Sequence, residues 1–586
     1  MFDSFPSPWS LLKLGTQLLL VSPLRSVSDE WASLNKTLGG RLQRGIPFAQ
    51  PCFLSALTPS SANYSAQCTE IQERNEDHLF RSESFGSYEL TQWETCEATG
   101  EQCSIDWQNP QNSAAFSPPR ECKQGSVPSY YIEVKEPNDV RAAYAFTQRT
   151  KIPLVIKNTG HDYFGRSAGP GTLALWTRNL DKLVLDKNFV PEGCSSDATT
   201  ALTIGAGQHF RAIYDFSRAN NVTFVAGADP SVGASGGWVM GGGHGALSPA
   251  FGLGVDRVLQ FKIVTPDGQY RTVNKCQNED LFFALRGGGG GTFGVVLESS
   301  FIASPQVTVQ AVLGMYNSTR ENTVKLVKEL AKGAVQLAAD GWGGYITPSL
   351  SSAVWANPLL SLADAEKSAA SVIAAFKAVG GETVFYTMET FTDFFDTFIA
   401  PNTDPVGRPQ VLASRLIPSD KFEDDVLIES MINGMLDSDF SQILAVAPYG
   451  FKDYDKYGTS IHPAWRTSVW HSLMSYFSNF DSTLDDRMEQ YAKLTRLWTT
   501  VREHTPNSGV YMNEADIYEP DYKTAFWGPH HDRLLEIKKK YDPHHILDCW
   551  RCVGWKGVND DRYKCYPRKD TTATPEVEDA KDYKEL

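Results

Sequence analysis

Residues 160–294 hold 24 of this chain's 46 glycines in fewer than a quarter of its 586 residues. Glycine costs backbone entropy on folding, so such a density marks places where the chain takes positive φ or approaches something closely with no Cβ in between. Successive N–H groups in turns of this kind form concave nests that bind anions. The landmarks are Lys157-Asn-Thr-Gly-His-Asp-Tyr163, the run from Gly233 to Gly245, and Gly287-Gly-Gly-Gly-Gly-Thr-Phe-Gly294. They predict a phosphate-bearing ligand seated on backbone.

Two common phosphate sites do not fit. Gly289-x-Gly291-x-x-Gly294 matches the dinucleotide fingerprint in spacing, but that motif follows a strand and opens a helix. Here Glu279-Asp-Leu-Phe-Phe-Ala-Leu-Arg286 reads as a helix before the glycines, and Val295-Val-Leu-Glu-Ser-Ser-Phe-Ile302 as a strand after them. A P-loop needs a Gly-Lys pair, and the chain has none.

Ile156-Lys-Asn-Thr-Gly-His161-Asp-Tyr163, followed by Gly165-Arg-Ser167, resembles the flavin-attachment segment of the vanillyl-alcohol-oxidase-type flavoproteins. The berberine-bridge-enzyme-like branch is the nearest match, in particular its fungal isoamyl-alcohol-oxidase type. Ala228-Asp-Pro-Ser-Val-Gly233 and Arg286–Val296 are similar to that family's other two flavin loops. Tyr511-Met-Asn513, Phe526-Trp-Gly528 and Ile537-Lys-x-Lys-Tyr-Asp-Pro543 resemble its closing segment. The likeness runs from about residue 45 to 555, with the motifs in the family's order.

The resemblance implies an α+β chain. It would have a two-part FAD-binding domain and an α+β substrate domain built on an antiparallel sheet. It implies FAD held by Thr159, Gly160, His161, Asp162 and Ser167 of the first loop. The second loop would add Val232, Gly233, Ser235, Gly236, Gly237, Gly242, Gly243 and His244; Gly294, Val295 and Asn513 complete the set. In the family the histidine matching His161 bonds covalently to the flavin, and imidazole suits this because it is nucleophilic when neutral. Relatives with a second link carry a cysteine where this chain has Asp229, so a single link through His161 is implied. Val232 stands where a family residue governs oxygen access. Tyr163 and Tyr511 match active-site tyrosines, either of which is the implied base. Glu514 departs from the family, which usually has another tyrosine there.

The implied activity is hydride transfer from a small organic substrate, an alcohol or secondary metabolite, to covalent FAD, with oxygen reoxidising the flavin to give hydrogen peroxide. Oxidative cyclisation or desaturation in a secondary-metabolite pathway stays open, as does a binding protein that has lost catalysis. The net charge of −15 opposes nucleic acid or an anionic membrane surface as partner, and no uninterrupted apolar stretch reaches the length of a membrane span.

In chain order, 1–44 reads as a leader, with 10–23 either a signal-peptide core or an amphipathic leader. Residues 45–125 read as loop-rich and disulfide-stapled, within an FAD domain reaching 304. The strand–helix–strand texture from Tyr130 onward puts a helix over 137–148 and a hairpin with a two-residue Asp267-Gly268 turn. Residues 305–508 read as a separate domain with helices over 321–339, 363–379 and 484–504. Residues 509–557 return to the FAD domain, and 558–586 is a tail. Ten cysteines and sequons at Asn35, Asn63, Asn221 and Asn317 favour a secretory route. Cys549-x-x-Cys552 and the pairs His530-His531 and His544-His545 fit zinc poorly, and the cysteines read better as a disulfide. His462-Pro-Ala-Trp-Arg466 is a further candidate for the pocket wall.

Overall fold

The computed structural model describes residues 27–455 and 458–568. Its first sheet takes strands β1 (Leu42–Arg44), β2 (Tyr130–Glu133), β3 (Leu154–Lys157) and β4 (Leu173–Trp176) in the order β1-β2-β4-β3. β1 is antiparallel to β2; the other pairs are parallel. The helix Pro137–Thr150 connects β2 to β3. Proline opens it, where a missing N–H costs nothing, and Asp139 accepts from the N–H groups of Lys135 and Glu136. Its apolar face (Val140, Ala143, Tyr144, Phe146) is buried against that sheet and against Val264, Val295 and Leu297 of the next one.

That next sheet is antiparallel. Strands β5 (Leu183–Phe189), β6 (Thr199–Gly205), β7 (Val222–Thr223), β8 (Val258–Val264), β9 (Tyr270–Asn274), β10 (Val295–Ile302) and β11 (Ser304–Pro305) follow in sequence. Five of them pair as β5-β6-β10-β8-β9, while β7 and β11 pair separately. The last is a seven-stranded antiparallel sheet made from β12 (Val309–Met315), β13 (Gly343–Thr347), β14 (Ser352–Asn357), β15 (Glu382–Met388), β16 (Gln410–Pro418), β17 (Phe440–Ala445) and β18 (Ser468–Phe477). Its order is β15-β12-β14-β13-β17-β18-β16. Side chains alternate across it. Ile346, Trp355, Ala445 and Trp470 meet Leu330, Ala334 and Leu337 of the helix Arg320–Ala339. Leu313, Tyr345, Val354, Leu444 and Leu473 line a cavity instead. The chain is thus α+β, with a mixed four-stranded sheet and antiparallel sheets of five and seven strands.

Several expectations shift. Residues 27–44 are not a detached leader: Val27–Thr37 is a helix whose Trp31 stacks on Tyr130 at 4.4 Å, and Arg41 grips Asp139 with two hydrogen bonds of 2.6 and 2.9 Å. The expected signal core at 10–23 lies outside the described residues. The segment after residue 45 is helical before it is loop: Gln50–Leu57, Ala62–Glu73 and His78–Ser82 are short helices, too brief to show a long periodic stripe, and Cys52–Cys68 joins the first two. The hairpin over Asp267-Gly268 spans three residues, because Thr265 still pairs with Gln269 and Gly268 takes φ 78°. The helices expected over 363–379 and 484–504 each divide, into Leu362–Ser368 with Ala370–Ala378 and into Leu484–Leu497 with Thr499–His504.

The C-terminal segment comes back to the first sheet, where Leu547 bridges Leu154. Residues 558–568 belong with it rather than with a tail. Cys565 is bonded to Cys96, and the Tyr566 ring stacks on Trp550 at 4.0 Å. The remainder of the expected tail lies outside the described residues. All ten cysteines are paired, as 52–68, 96–565, 103–122, 194–276 and 549–552.

Candidate active site

A cavity of about 540 Å³ lies between the glycine loops and the open face of the seven-stranded sheet. β3 delivers the chain directly into its first wall. The Lys157 ammonium, fully buried, donates to the carbonyls of Ser84, Phe85 and Ser87, which fixes the start of the loop Asn158–Ser167. Gly160 turns at φ 101°, a conformation that a side chain would strain, and His161 follows.

His161 is held by acceptors. Its Nε2 lies 2.6 Å from Ser231 Oγ and 3.2 Å from Asp229 Oδ1, and the other Asp229 oxygen is 2.6 Å from His78 Nδ1. Ser231 gives its own proton to Asp229 at 2.9 Å. Burial opposes the Asp229 charge, yet the two histidines hold its carboxyl well below the usual range, so it is an acceptor only. His161 Nε2 therefore faces two acceptors, and Nδ1 is the ring nitrogen that Asp229 and Ser231 do not engage.

The glycines serve this cavity in two ways. A Cβ on Gly233 or Gly236 would lie 2.6 or 2.5 Å from the Asn158 amide nitrogen, so those positions are closed by packing. At Gly237 a Cβ would meet nothing within 4 Å, and at Gly291 only the Ile156 methyl at 4.0 Å; both glycines border the cavity. At these two positions the protein leaves open space beside the backbone on the cavity side, room that a bound group can use. Buried polar atoms without partners, Asn158 Oδ1 and Arg166 Nη2, belong to lining residues. Residues of this kind fit a phosphate-bearing ligand with an extended ring system. The third loop is pinned from behind, where Lys538 donates to the Thr292 carbonyl at 2.7 Å and pairs with Asp542.

Of the residues expected to hold a cofactor, Thr159, Gly160, His161, Asp162, Ser167, Val232, Gly233, Ser235, Gly236, Gly237, His244, Gly294 and Asn513 line the cavity. Gly242, Gly243 and Val295 do not. A Cβ on Gly243 would abut the Trp238 ring at 3.0 Å, and Val295 points into the core shared with the helix Pro137–Thr150. Tyr163 and Tyr511 also line it. The Tyr163 hydroxyl donates to Asp404 at 3.3 Å; burial, then Asp404 and Glu514, push its pKa well above the ordinary phenol value. The Tyr511 hydroxyl donates to the Trp238 carbonyl at 3.0 Å and accepts from Asn513 at 2.7 Å; burial, then Glu514, drive it upward too. His462 is elsewhere, capping the turn Pro463–Arg466, and Arg466 makes two hydrogen bonds to Asp256.

Two polar residues near the cavity, Asp404 and His471, escaped the sequence reading, and a third, Glu514, was named there without a role. Asp404 sits in a loop with no motif, and burial together with Glu514 raises its pKa to about 7. His471 is one histidine in a strand, and only its alternation with Leu473 put it on the cavity face. Glu514 stood out in sequence as a departure from a tyrosine, without a role. It accepts from His471 Nε2 at 2.8 Å and His244 Nε2 at 3.2 Å.

With this geometry in place, the likenesses are specific. Residues 128–274 match the family described as FAD binding domain, and 510–548 that described as berberine and berberine like. An FAD-linked oxidoreductase of Aspergillus flavipes is 37% identical over 572 residues, covering 90% of this chain and 92% of its own. A VAO-type flavoprotein oxidase of Thermothelomyces thermophilus is 31% identical, covering 89% of each. The crystal structure of a VAO-type flavoprotein from Myceliophthora thermophila superposes with a TM-score of 0.80 at 27% identity, covering 93% of this chain and 98% of that one. The chain belongs to the VAO-type, berberine-bridge-like family of FAD-linked oxidoreductases.

Proposed function

We propose that this chain is an oxidase that takes a hydride from an apolar-bodied alcohol and hands the electrons to oxygen. FAD bound in the cavity supplies the hydride acceptor and the route to hydrogen peroxide; the rest is the protein's positioning and electrostatics. Asn158, Gly233, Gly237 and Gly291 form the cradle, and His161 is the attachment point through the Nδ1 lone pair that Asp229 and Ser231 leave available. Asp229 has no sulfur to offer, so the link is single.

The observation that carries the reading is that one cavity joins His161 to the sheet face. On that face Leu313, Tyr345, Val354, Leu444 and Leu473 are mostly apolar, which fits the body of a hydrophobic substrate. Arg166 is the one lysine or arginine among the described residues that line the cavity, while the Asp229 and Glu514 carboxylates, both held ionised, add negative charge. An anionic substrate is therefore repelled, and a neutral hydroxyl is accepted. Tyr163 and Tyr511 keep their protons and serve as hydrogen-bonding walls. Val232 borders the cavity as a small apolar side chain, consistent with oxygen reaching the ring.

The test is peroxide release by the yellow protein across neutral apolar alcohols, their carboxylated analogues and oligosaccharides. Peroxide with the neutral apolar set is expected. Flavin-loaded protein that yields none with any alcohol removes the oxidase reading.

A further inference from the structure

Resting on that reading, we propose that Glu514, clamped between His244 and His471, is the group that receives the substrate's hydroxyl proton. Three observations converge. The Glu514 side chain is 22% exposed, within the cavity wall, whereas His471 behind it is fully buried and His244 is 10% exposed. Both rings aim Nε2 at the one carboxylate. To do so, both leave Nδ1 buried with no hydrogen-bond partner, an arrangement that costs stability.

The element that places Glu514 is rigid. Ser414 of β16 donates to its backbone carbonyl, and the preceding residue, Asn513, ties the same segment to the Gly237 carbonyl at 2.7 Å, beside the open cradle. His471 comes from the middle of β18 and His244 from the second glycine loop. The carboxylate thus sits at the junction of the cradle and the sheet face, where the reacting carbon of a substrate must be.

The other ionisable groups around it are less suited to the task. Asp404, Tyr163, Tyr345 and Tyr511 all feel its charge. The three phenols are driven away from ionisation by burial and by this negative charge. The Asp404 carboxyl is likewise raised, and holds the Tyr163 hydroxyl. Glu514 itself stays ionised, because the two imidazoles overcome its burial. In the step, the substrate O–H bond gives its proton to a Glu514 oxygen and its bonding pair forms the C=O π bond. The C–H bond breaks, and its hydride, carrying the electron pair, leaves for oxidised FAD.

The experiment is anaerobic flavin reduction in the holoenzyme, comparing parent, Glu514→Gln and His471→Asn with an alcohol the parent oxidises. Glu514→Gln should reduce about 10²–10⁴-fold more slowly with FAD content unchanged. His471→Asn removes one of the two groups that hold the Glu514 carboxyl down, so its reduction rate should fall off on acidification at a higher pH than the parent's, with KM near the parent value. Parent-like reduction in Glu514→Gln, or a pH dependence of His471→Asn identical to the parent's, overturns the assignment. A readout independent of turnover is the infrared difference spectrum of parent minus Glu514→Gln between about pH 5 and pH 8. An ionised carboxylate band throughout supports the clamp; a protonated carboxyl band in that range overturns it. If no alcohol reduces even the parent, the oxidase reading fails, and the infrared result still decides the clamp.

Discussion

At the scale of single residues, the site is a set of charges sorted by their neighbours. Asp229 is kept ionised by two histidines, and with Ser231 it holds the His161 ring in one direction. His161→Ala is therefore expected to bind FAD still, through the glycine cradle, but to release it on acid precipitation. The parent should retain one flavinylated peptide containing His161. Asp404 shows the opposite balance, since burial and Glu514 lift its pKa to about 7, above the ordinary aspartate value. The folded state thus holds a proton that the unfolded chain has lost. The associated stability is complete below the ordinary aspartate value and drains away as pH rises to about 7. Asp404→Asn removes that dependence, so its melting temperature should gain on the parent's as pH climbs through this window. A difference that stays flat with pH would mean Asp404 is not buried as a proton-bearing group. Of these residues only His161, Tyr163, Tyr511 and the glycines had a motif to announce them. Asp404 and His471 had none, because their neighbours come from distant parts of the chain.

At the scale of elements, the seven-stranded sheet divides labour by alternation. In β17, Ile443 is fully buried within the hydrophobic core, while Leu444 lines the cavity. Ile443→Ala should cost about 2–5 kcal/mol of stability, read from denaturant midpoints. Leu444→Ala should instead raise KM for an apolar alcohol roughly tenfold with a smaller stability loss. Equal stability losses with no change in KM would detach the sheet from substrate binding. The strand Val295–Ile302 and the helix before it were legible because their apolar runs are short and bounded by glycine or charge. The helices after residue 45 were not, because eight to twelve residues carry too few turns to show a period, and their stability comes from Cys52–Cys68 and tertiary contact.

At the scale of the whole molecule, five disulfides pair every cysteine, and Cys96–Cys565 joins positions 469 residues apart. No helix among the described residues is long and apolar enough to cross a membrane. The sequons at Asn63, Asn221 and Asn317 are exposed. For protein from a eukaryotic host we expect a mass decrease on glycosidase treatment and no free thiol under denaturing conditions; ten free thiols with unchanged mass would exclude a secretory route. The sequence by itself determined the family and the glycine loops, and it singled out His161 as the attachment candidate, with no sulfur at Asp229. Each is a local property, read from a few adjacent residues whose chemistry does not depend on the rest of the fold. Only the tertiary structure decided which acids face the cavity, which partners His161 Nε2 meets and which cysteines pair. Those depend on groups drawn together from β3, β18, the second glycine loop and the C-terminal segment, and on burial, which no single stretch of sequence records.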